Sequence, residues 1–227
     1  MQHRKEYGMG IHCIPCGMAN CCIVSQNGSA ILVDTATTKH RESILAKCRA
    51  ANVRLIVLTH GHYDHAQNAA YLAKELCVPV AMHPADLPLM ADILSEPIAA
   101  RSLLGKTMLA AITLSAHPSF GKWAARLQKN EIPPFAPDIE LREGFSFEAY
   151  GVDATVIELP GHTRGSIGVA AEDGLIAGDA LMNFVRPRKA LHYIDRAAME
   201  ASAARISAMG DILIYFGHGG PVKNREW

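Results

Sequence analysis

The densest chemistry in the chain is Thr59-His60-Gly61-His62-Tyr63-Asp64-His65. Three imidazoles and a carboxylate stand together, directly after the apolar run Val53 to Leu58. Imidazole is the commonest metal-binding side chain, and a carboxylate completes a nitrogen and oxygen donor set. A single histidine here would read as an ordinary core or surface residue. Four polar, titratable groups at a buried strand end need partners. Three other places repeat the pattern. Thr155 to Leu159 runs into Pro160-Gly161-His162, Leu175 to Ala177 into Gly178-Asp179, and Ile212 to Phe216 into Gly217-His218-Gly219. Ligands of α/β proteins gather beyond the carboxyl ends of strands, so these four ends are expected to converge. The flanking glycines let the backbone turn sharply and come close. The donors are His60, His62, Asp64, His65, His162, Asp179 and His218. One tetrahedral ion cannot use so many. Two ions sharing a bridging carboxylate can, with positions left open for water and substrate.

The elements that must carry these groups are legible in part. Cys21–Ser25 and Ser29–Val33 read as strands joined by Gln26-Asn27-Gly28, a strong hairpin signal. A helix is expected over 39–51, capped by Thr37 or Thr38, with Ile44, Leu45 and Cys48 on one face. Val53–Leu58 is a strand of a sheet buried on both faces, followed by a helix over 66–76 and a strand over 78–82. Strands are also expected at Phe145–Ala149, Ala154–Leu159, Ile167–Ala171, Leu175–Ala177 and Ile212–Phe216, with a helix over 195–208. The segment 84–138 differs. It is rich in Ala, Leu and Met, reads as helices near 86–94, 98–115 and 119–130, and ends at Pro133-Pro134 and Pro137. Side chains such as Leu103, Leu104, Met108, Leu109 and Ile112 must cover something, so the segment is expected to wall the substrate cleft, with homodimer contact as a second role.

His60-x-His62-x-Asp64-His65, then Pro160-Gly161-His162-Thr163, then Gly178-Asp179, then Gly217-His218-Gly219, in that order, resemble the metallo-β-lactamase superfamily. The glyoxalase II-like branch is the most similar, through the stretch from Pro160 to Gly168. The resemblance spans about Asn20 to Pro221. It implies an α/β fold, a four-layer αβ/βα sandwich with metals at one edge of two sheets, here one domain over 1–227 with a helical insertion. It implies that His60, His62 and His162 bind one metal, that Asp64, His65 and His218 bind the second, and that Asp179 bridges them. Asp34, in Leu32-Val33-Asp34-Thr35, matches a family aspartate that hydrogen-bonds a ligand from behind. The implied cofactor is two zinc ions, and iron or manganese also suits these donors. The implied reaction is hydrolysis of an ester, thioester, lactone or amide by hydroxide formed at the metal pair, with Asp64 as the catalytic carboxylate.

Within the family, Gly178-Asp179 argues against class B lactamases, which use Cys there. Ala180-Leu181-Met182 lacks the Tyr that quorum lactonases offer after the bridging Asp. The chain ends at Trp227, where full-length glyoxalase II continues into a helical domain that helps hold glutathione, so a glutathione thioester is not the expected substrate. Two other functions stand beside hydrolysis. One is a mononuclear iron enzyme similar to persulfide dioxygenases, which use two His and one Asp. The other is a non-catalytic metal-binding protein.

Weaker signals surround this set. Arg164 could clamp a substrate carboxylate or phosphate, whereas Arg186, Arg188 and Lys189 read as a charged surface. His83, His117 and His192 read as surface or supporting residues rather than ligands. Cys13-Ile-Pro-Cys16, with Cys21 and Cys22, reads as small buried residues ahead of a redox pair or an extra metal site. Cys48 and Cys77 complete the cysteines, and their clustering does not resemble a secreted disulfide framework. Lys plus Arg equals Asp plus Glu at 22 each, so no strongly basic face for nucleic acid is expected. No apolar run reaches the ~20 residues a membrane span needs, and the first residues do not read as a secretory signal. A cytoplasmic protein acting on a small molecule is expected.

Overall fold

Strand β3 (Ser29–Val33) shows how the layers arise. Successive side chains alternate, so Ala30 and Leu32 face one apolar layer while Ile31 and Val33 face another. A strand apolar on both sides must lie inside a stack, and that is what forms. A computed structural model describes residues 9–91, 98–100, 103, 105–107, 110, 135–172 and 174–227. Its first sheet runs β1 (Gly10–Cys16), β2 (Ala19–Gln26), β3, β4 (Val53–Val57), β5 (Val80–Met82) and β7 (Ile139–Glu140), hydrogen-bonded in that order. β1 to β3 are antiparallel, and β3, β4, β5 and β7 are parallel. The second sheet has the order β15 (Val222–Lys223), β14 (Leu213–Tyr215), β10 (Gly174–Ile176), β9 (Ile167–Ala171) and β8 (Ala154–Glu158).

Three apolar layers define the sandwich. Helices α1 (Arg41–Ala51) and α3 (Ala69–Leu76) pack Ile44, Leu45 and Leu72 on the outer face of the first sheet. Ile31, Val33, Leu55 and Val57 meet Val156, Val169 and Ile176 between the sheets. Helix α5 (Arg196–Ser207) sets Ala203 and Ile206 on the outer face of the second sheet. The fold is therefore α/β, with helix, sheet, sheet and helix in sequence. The β2–β3 turn carries Asn27 and Gly28 at φ 49° and 81°, as the Asn-Gly signal predicts.

Several expectations are corrected. Phe145–Ala149 is not a strand. Only Ser146 bridges to Thr155, and Glu148–Tyr150 closes as a single 3-10 turn. Phe147 N–H still donates to the Ala154 carbonyl at 3.0 Å and Val156 N–H to the Phe145 carbonyl at 2.9 Å, but past Phe147 local bonds take over: Glu148 N–H donates to Ser146 Oγ at 3.2 Å and Tyr150 N–H to the Phe147 carbonyl at 2.9 Å. The helix expected over 66–76 divides into α2 (Tyr63–Ala66) and α3, because the Asn68 side chain turns back to the carbonyls of Thr35 and Thr37. Within the expected helix 98–115, β6 (Ala99–Ala100) is a strand paired with β13 (His192–Tyr193). Residues 103, 105–107 and 110 are helical, while helix 119–130, His117 and most of the segment 84–138 lie outside the described residues.

β1 was not expected as a separate strand. It lies at the sheet edge, where Pro15 costs no ladder bond. Cys13 and Cys16 cannot pair within it, since residues three apart in a strand face opposite sides. Cys13 is instead joined to Cys22, directly across the β1–β2 register. Cys16 and Cys21 are buried on the other face with their sulfurs 3.9 Å apart. This disulfide corrects the reading of the four as plain buried thiols. Among the described residues no helix is long and apolar enough to cross a membrane.

Candidate metal centre

Four strand ends meet at one edge of the sandwich. β4 leads into Thr59-His60-Gly61-His62 and then α2, which carries Asp64 and His65 in one short turn. β8 leads into Pro160-Gly161-His162, β10 into Gly178-Asp179, and β14 into Gly217-His218. Backbone bonds stitch the ends together. Ile167 N–H donates to the Thr59 carbonyl at 2.9 Å, linking the two sheets, and Gly217 N–H donates to the Gly178 carbonyl at 2.9 Å.

All seven expected donors come together. His60, His62 and His162 place ligating atoms within 4.8 Å of one another, and so do Asp64, His65 and His218. Asp179 stands between the two groups. Its Oδ2 is 3.6 Å from His162 Nε2 and 3.1 Å from His218 Nε2, and its Oδ1 is 3.6 Å from His65 Nε2. Three of these buried atoms, His60 Nε2, His65 Nε2 and Asp179 Oδ1, have no hydrogen-bond partner among the described residues. Buried polar atoms are almost always paired, so three orphans facing one space fit a cation held there. The space is kept by Gly217, whose missing Cβ would collide with Asp179 Oδ1 and His65 Cε1.

The far nitrogens of the imidazoles are anchored. His65 Nδ1–H donates to Asp34 Oδ2 at 2.9 Å, His162 Nδ1–H to the His192 carbonyl at 2.9 Å, and His218 Nδ1–H to the Met18 carbonyl at 2.6 Å. The Thr59 hydroxyl lies 2.8 Å from Asp34 Oδ2 and gives its one proton to that carboxylate. His60 Nδ1, 3.0 Å from the same hydroxyl, must then be the donor. Each of these rings thereby aims Nε2 inward, the nitrogen left to hold an ion. The Asp34 carboxylate lies behind His65. The residue is buried at φ 62° and also accepts Thr59 N–H at 2.8 Å.

The electrostatics divide the donors in two. Burial, then the neighbouring imidazoles, holds His60 and His62 well below the usual histidine range. Burial would lower His65 as well, but the carboxylates of Asp179, Asp64 and Asp34 outweigh it and push the ring to about 10. His218 goes the same way, to about 9, chiefly through Asp179. Asp179 is held well below its ordinary value: burial opposes this, and the charges of His218 and His65 prevail.

Residues 14–218 match the metallo-beta-lactamase superfamily. The chain belongs to this superfamily. Its members are mostly metal-dependent hydrolases that bind divalent metals. An uncharacterized protein of Aquifex aeolicus (strain VF5) is 31% identical over 179 residues, covering 76% of this chain and 71% of that one. The probable metallo-hydrolase YflN of Bacillus subtilis (strain 168) is 24% identical over 203 residues, covering 82% and 69%. The crystal structure of TTHA1623 in a di-iron-bound form superposes with a TM-score of 0.67 at 25% identity, covering 94% of each chain.

Other residues fall as follows in this superfamily member. Arg164 is exposed, two positions after His162. His83 is buried, with Nε2 3.2 Å from Glu158 and 3.0 Å from Arg142, and contributes no atom to the groups that could hold a metal. His192 supports the centre through its carbonyl rather than its ring. Sequence reasoning missed Asp86, Asn20 and the carbonyls of Met18 and His192. No spacing rule marks a carbonyl, which every residue carries. Asp86 lies between Ala85 and Leu87 and Asn20 between Ala19 and Cys21, with no motif of their own.

Proposed function

We propose that the protein is a binuclear metallohydrolase that cleaves an ester, thioester, lactone or amide bond of a small molecule. The observation that carries the reading is the group of orphaned buried atoms, His60 Nε2, His65 Nε2 and Asp179 Oδ1, in a centre of five imidazoles and two carboxylates. His60, His62 and His162 would hold one ion, Asp64, His65 and His218 the other, with Asp179 shared. Zinc is the first choice, and iron or manganese also suits such donors. The di-iron form of TTHA1623 makes iron worth testing. Bound ions would polarise a carbonyl oxygen and lower the pKa of water from about 15.7 towards about 7.

The chain's own residues would do the rest. Asp64, with its side chain 23% exposed, is open enough to orient the attacking water and take its proton. Asp34, Thr59 and the carbonyls of Met18 and His192 hold the imidazoles in one orientation, so little is left to reorganise during reaction. Arg164 would pair with an anionic group of the substrate. The segment 84–138 would wall the cleft, with a homodimer contact as its second role. Its described part touches the centre's support: β6 pairs with β13, and His192 Nε2 lies 3.0 Å from the Gly105 carbonyl. Neither nucleic acid nor membrane enters this reading, and the cytoplasm is the proposed location.

Metal analysis by mass spectrometry, joined to a panel of ester, thioester, lactone, amide and phosphodiester substrates, tests the function. About two ions per chain and turnover of a carbonyl substrate are expected. Asp179→Ala should lower both metal content and turnover. Full activity at one equivalent of metal, with Asp64 and His218 replaceable, would contradict the paired centre. Oxygen uptake with a persulfide and no carbonyl hydrolysis would favour the iron oxygenase. Metal uptake with no turnover of any kind would favour a binding protein.

A further inference from the structure

Asp86 is fully buried and contributes no atom to the groups that could hold a metal. It closes the short turn Pro84–Asp86 after β5, and both its oxygens are used. Oδ2 accepts the Gly61 N–H at 2.9 Å and the Thr163 hydroxyl at 2.7 Å, and Oδ1 accepts the Gly165 N–H at 2.6 Å. Gly61 lies between His60 and His62, and Thr163 follows His162. One carboxylate thus grips the two loops that carry His60, His62 and His162, from two different sheets.

The grip is tight. A Cβ on Gly165 would stand 2.7 Å from Asp86 Oδ1, and one on Gly61 would stand 3.0 Å from the Asp86 carbonyl. Both glycines are therefore explained by a backbone pressed against this residue. The Thr163 hydroxyl spends its proton on the carboxylate, so the Ser166 hydroxyl, 2.7 Å away, donates to Thr163 Oγ1 while accepting Thr163 N–H at 3.0 Å. The turn itself is fixed from outside. Ala85 N–H donates to His83 Nδ1 at 3.1 Å, and the far side of that ring meets Glu158 and Arg142. His65 and His218, of the other donor group, are steadied by the Asp34 carboxylate and the Met18 carbonyl instead.

We propose that Asp86 is a positioning residue that sets the His60/His62 loop against the His162 loop and so preorganises the first of the two metal sites and not the second. The inference rests on the paired-metal reading above. Its physical basis is that three buried donors converge on an acceptor-only group. An amide in its place would present an N–H₂ to at least one of those donors and push the loops apart.

The test titrates metal-free protein with zinc alone and follows heat by calorimetry, with cobalt(II) absorption as a second readout of ligand geometry. Two backgrounds separate the sites: His218→Ala keeps the first donor set, and His62→Ala keeps the second. Asp86→Asn should weaken zinc binding by about 10-fold or more in the His218→Ala background, and leave it unchanged in the His62→Ala background. Thr163→Val, which keeps the volume and removes one of the three bonds, should shift the same site by less. Equal affinity with and without Asp86→Asn in the His218→Ala background would overturn the proposal, as would equal weakening of both backgrounds. If Asp86→Asn does not fold, Thr163→Val decides: no shift in the first site refutes the idea and a selective shift supports it. An otherwise unaltered protein that takes up no metal would fail the paired-metal reading itself, and the proposal with it, a result distinct from all of these.

Discussion

Gly217 is held to its identity by the two donors that crowd it. Its backbone passes so close to Asp179 and His65 that a methyl group cannot be added without moving one of them. Gly220, three residues on, has nothing within 4 Å of the same hypothetical atom. Gly217→Ala is therefore expected to lower metal content sharply while Gly220→Ala leaves it intact, as metal analysis of both purified variants would show. Similar metal content in the two would mean that the crowding relaxes at no cost. The donors themselves are legible in the chain because His60, His62, His162, Asp179 and His218 each follow a strand end beside a glycine, with Asp64 and His65 close behind His62, a purely local pattern. The choice of ring nitrogen is not legible. It follows from what lies behind each ring, and those partners are distant in sequence: Met18 stands behind His218, and Asp34 behind His65.

At the scale of elements, the β1–β2 hairpin acts as a brace for the last ligand loop. Besides the Met18 carbonyl under His218, Asn20 donates its side-chain N–H₂ to the carbonyls of Phe216 at 2.9 Å and Gly219 at 2.8 Å, and its backbone N–H to Gly217 at 2.8 Å. Asn20→Ala removes the two side-chain bonds. It should cost about 1–2 kcal/mol in denaturant unfolding of the metal-free protein and weaken the site that uses His218, with the His60, His62 and His162 site unaffected. Unchanged zinc affinity at both sites would show that the backbone bonds alone suffice. The segment 84–138 calls for a different experiment. Leu103 is 79% exposed, a large apolar side chain in the segment proposed as the cleft wall. Leu103→Glu is expected to alter substrate preference across the panel without altering metal content. A change in sedimentation and none in preference would assign this face to subunit contact instead.

For the whole molecule, the division of charge within the centre predicts how metal uptake depends on pH. His60 and His62 are held neutral by burial and need shed no proton to bind an ion. His65 and His218 are raised to about 10 and about 9, so at neutral pH each carries a proton that an ion must displace. Affinity at the second site should therefore climb steadily with pH up to that range, while affinity at the first changes little. Calorimetric titration in buffers of different ionisation enthalpy would count the protons released, and equal release at both sites would contradict the division. Stability of the metal-free protein follows the same sign. Both groups have folded values above their unfolded ones. Their contribution is full below about 6.5 and is lost as pH rises through about 9 and about 10. Metal-loaded protein should lack this alkaline decline, because the ions stand where the protons stood.

What the amino-acid order determined alone is the part of the protein written in short-range patterns. Alternation in β3, the Asn27-Gly28 turn and the strand–glycine–ligand ends are local, since period and conformational freedom act over a few residues. From these follow the layered α/β fold and the convergence of seven donors. Only the tertiary structure decided which groups steady those donors. The Phe145–Ala149 stretch has strand-like residues, yet local bonds close it as a turn. Cys13 pairs with Cys22 and not with Cys16, because strand geometry, not spacing, sets which sulfurs meet. Asp86 has no motif of its own and acquires its place only when loops from two sheets press onto it. Supporting bonds of this kind join residues tens to hundreds of positions apart and often end on backbone carbonyls, so side-chain identity along the chain carries no mark of them.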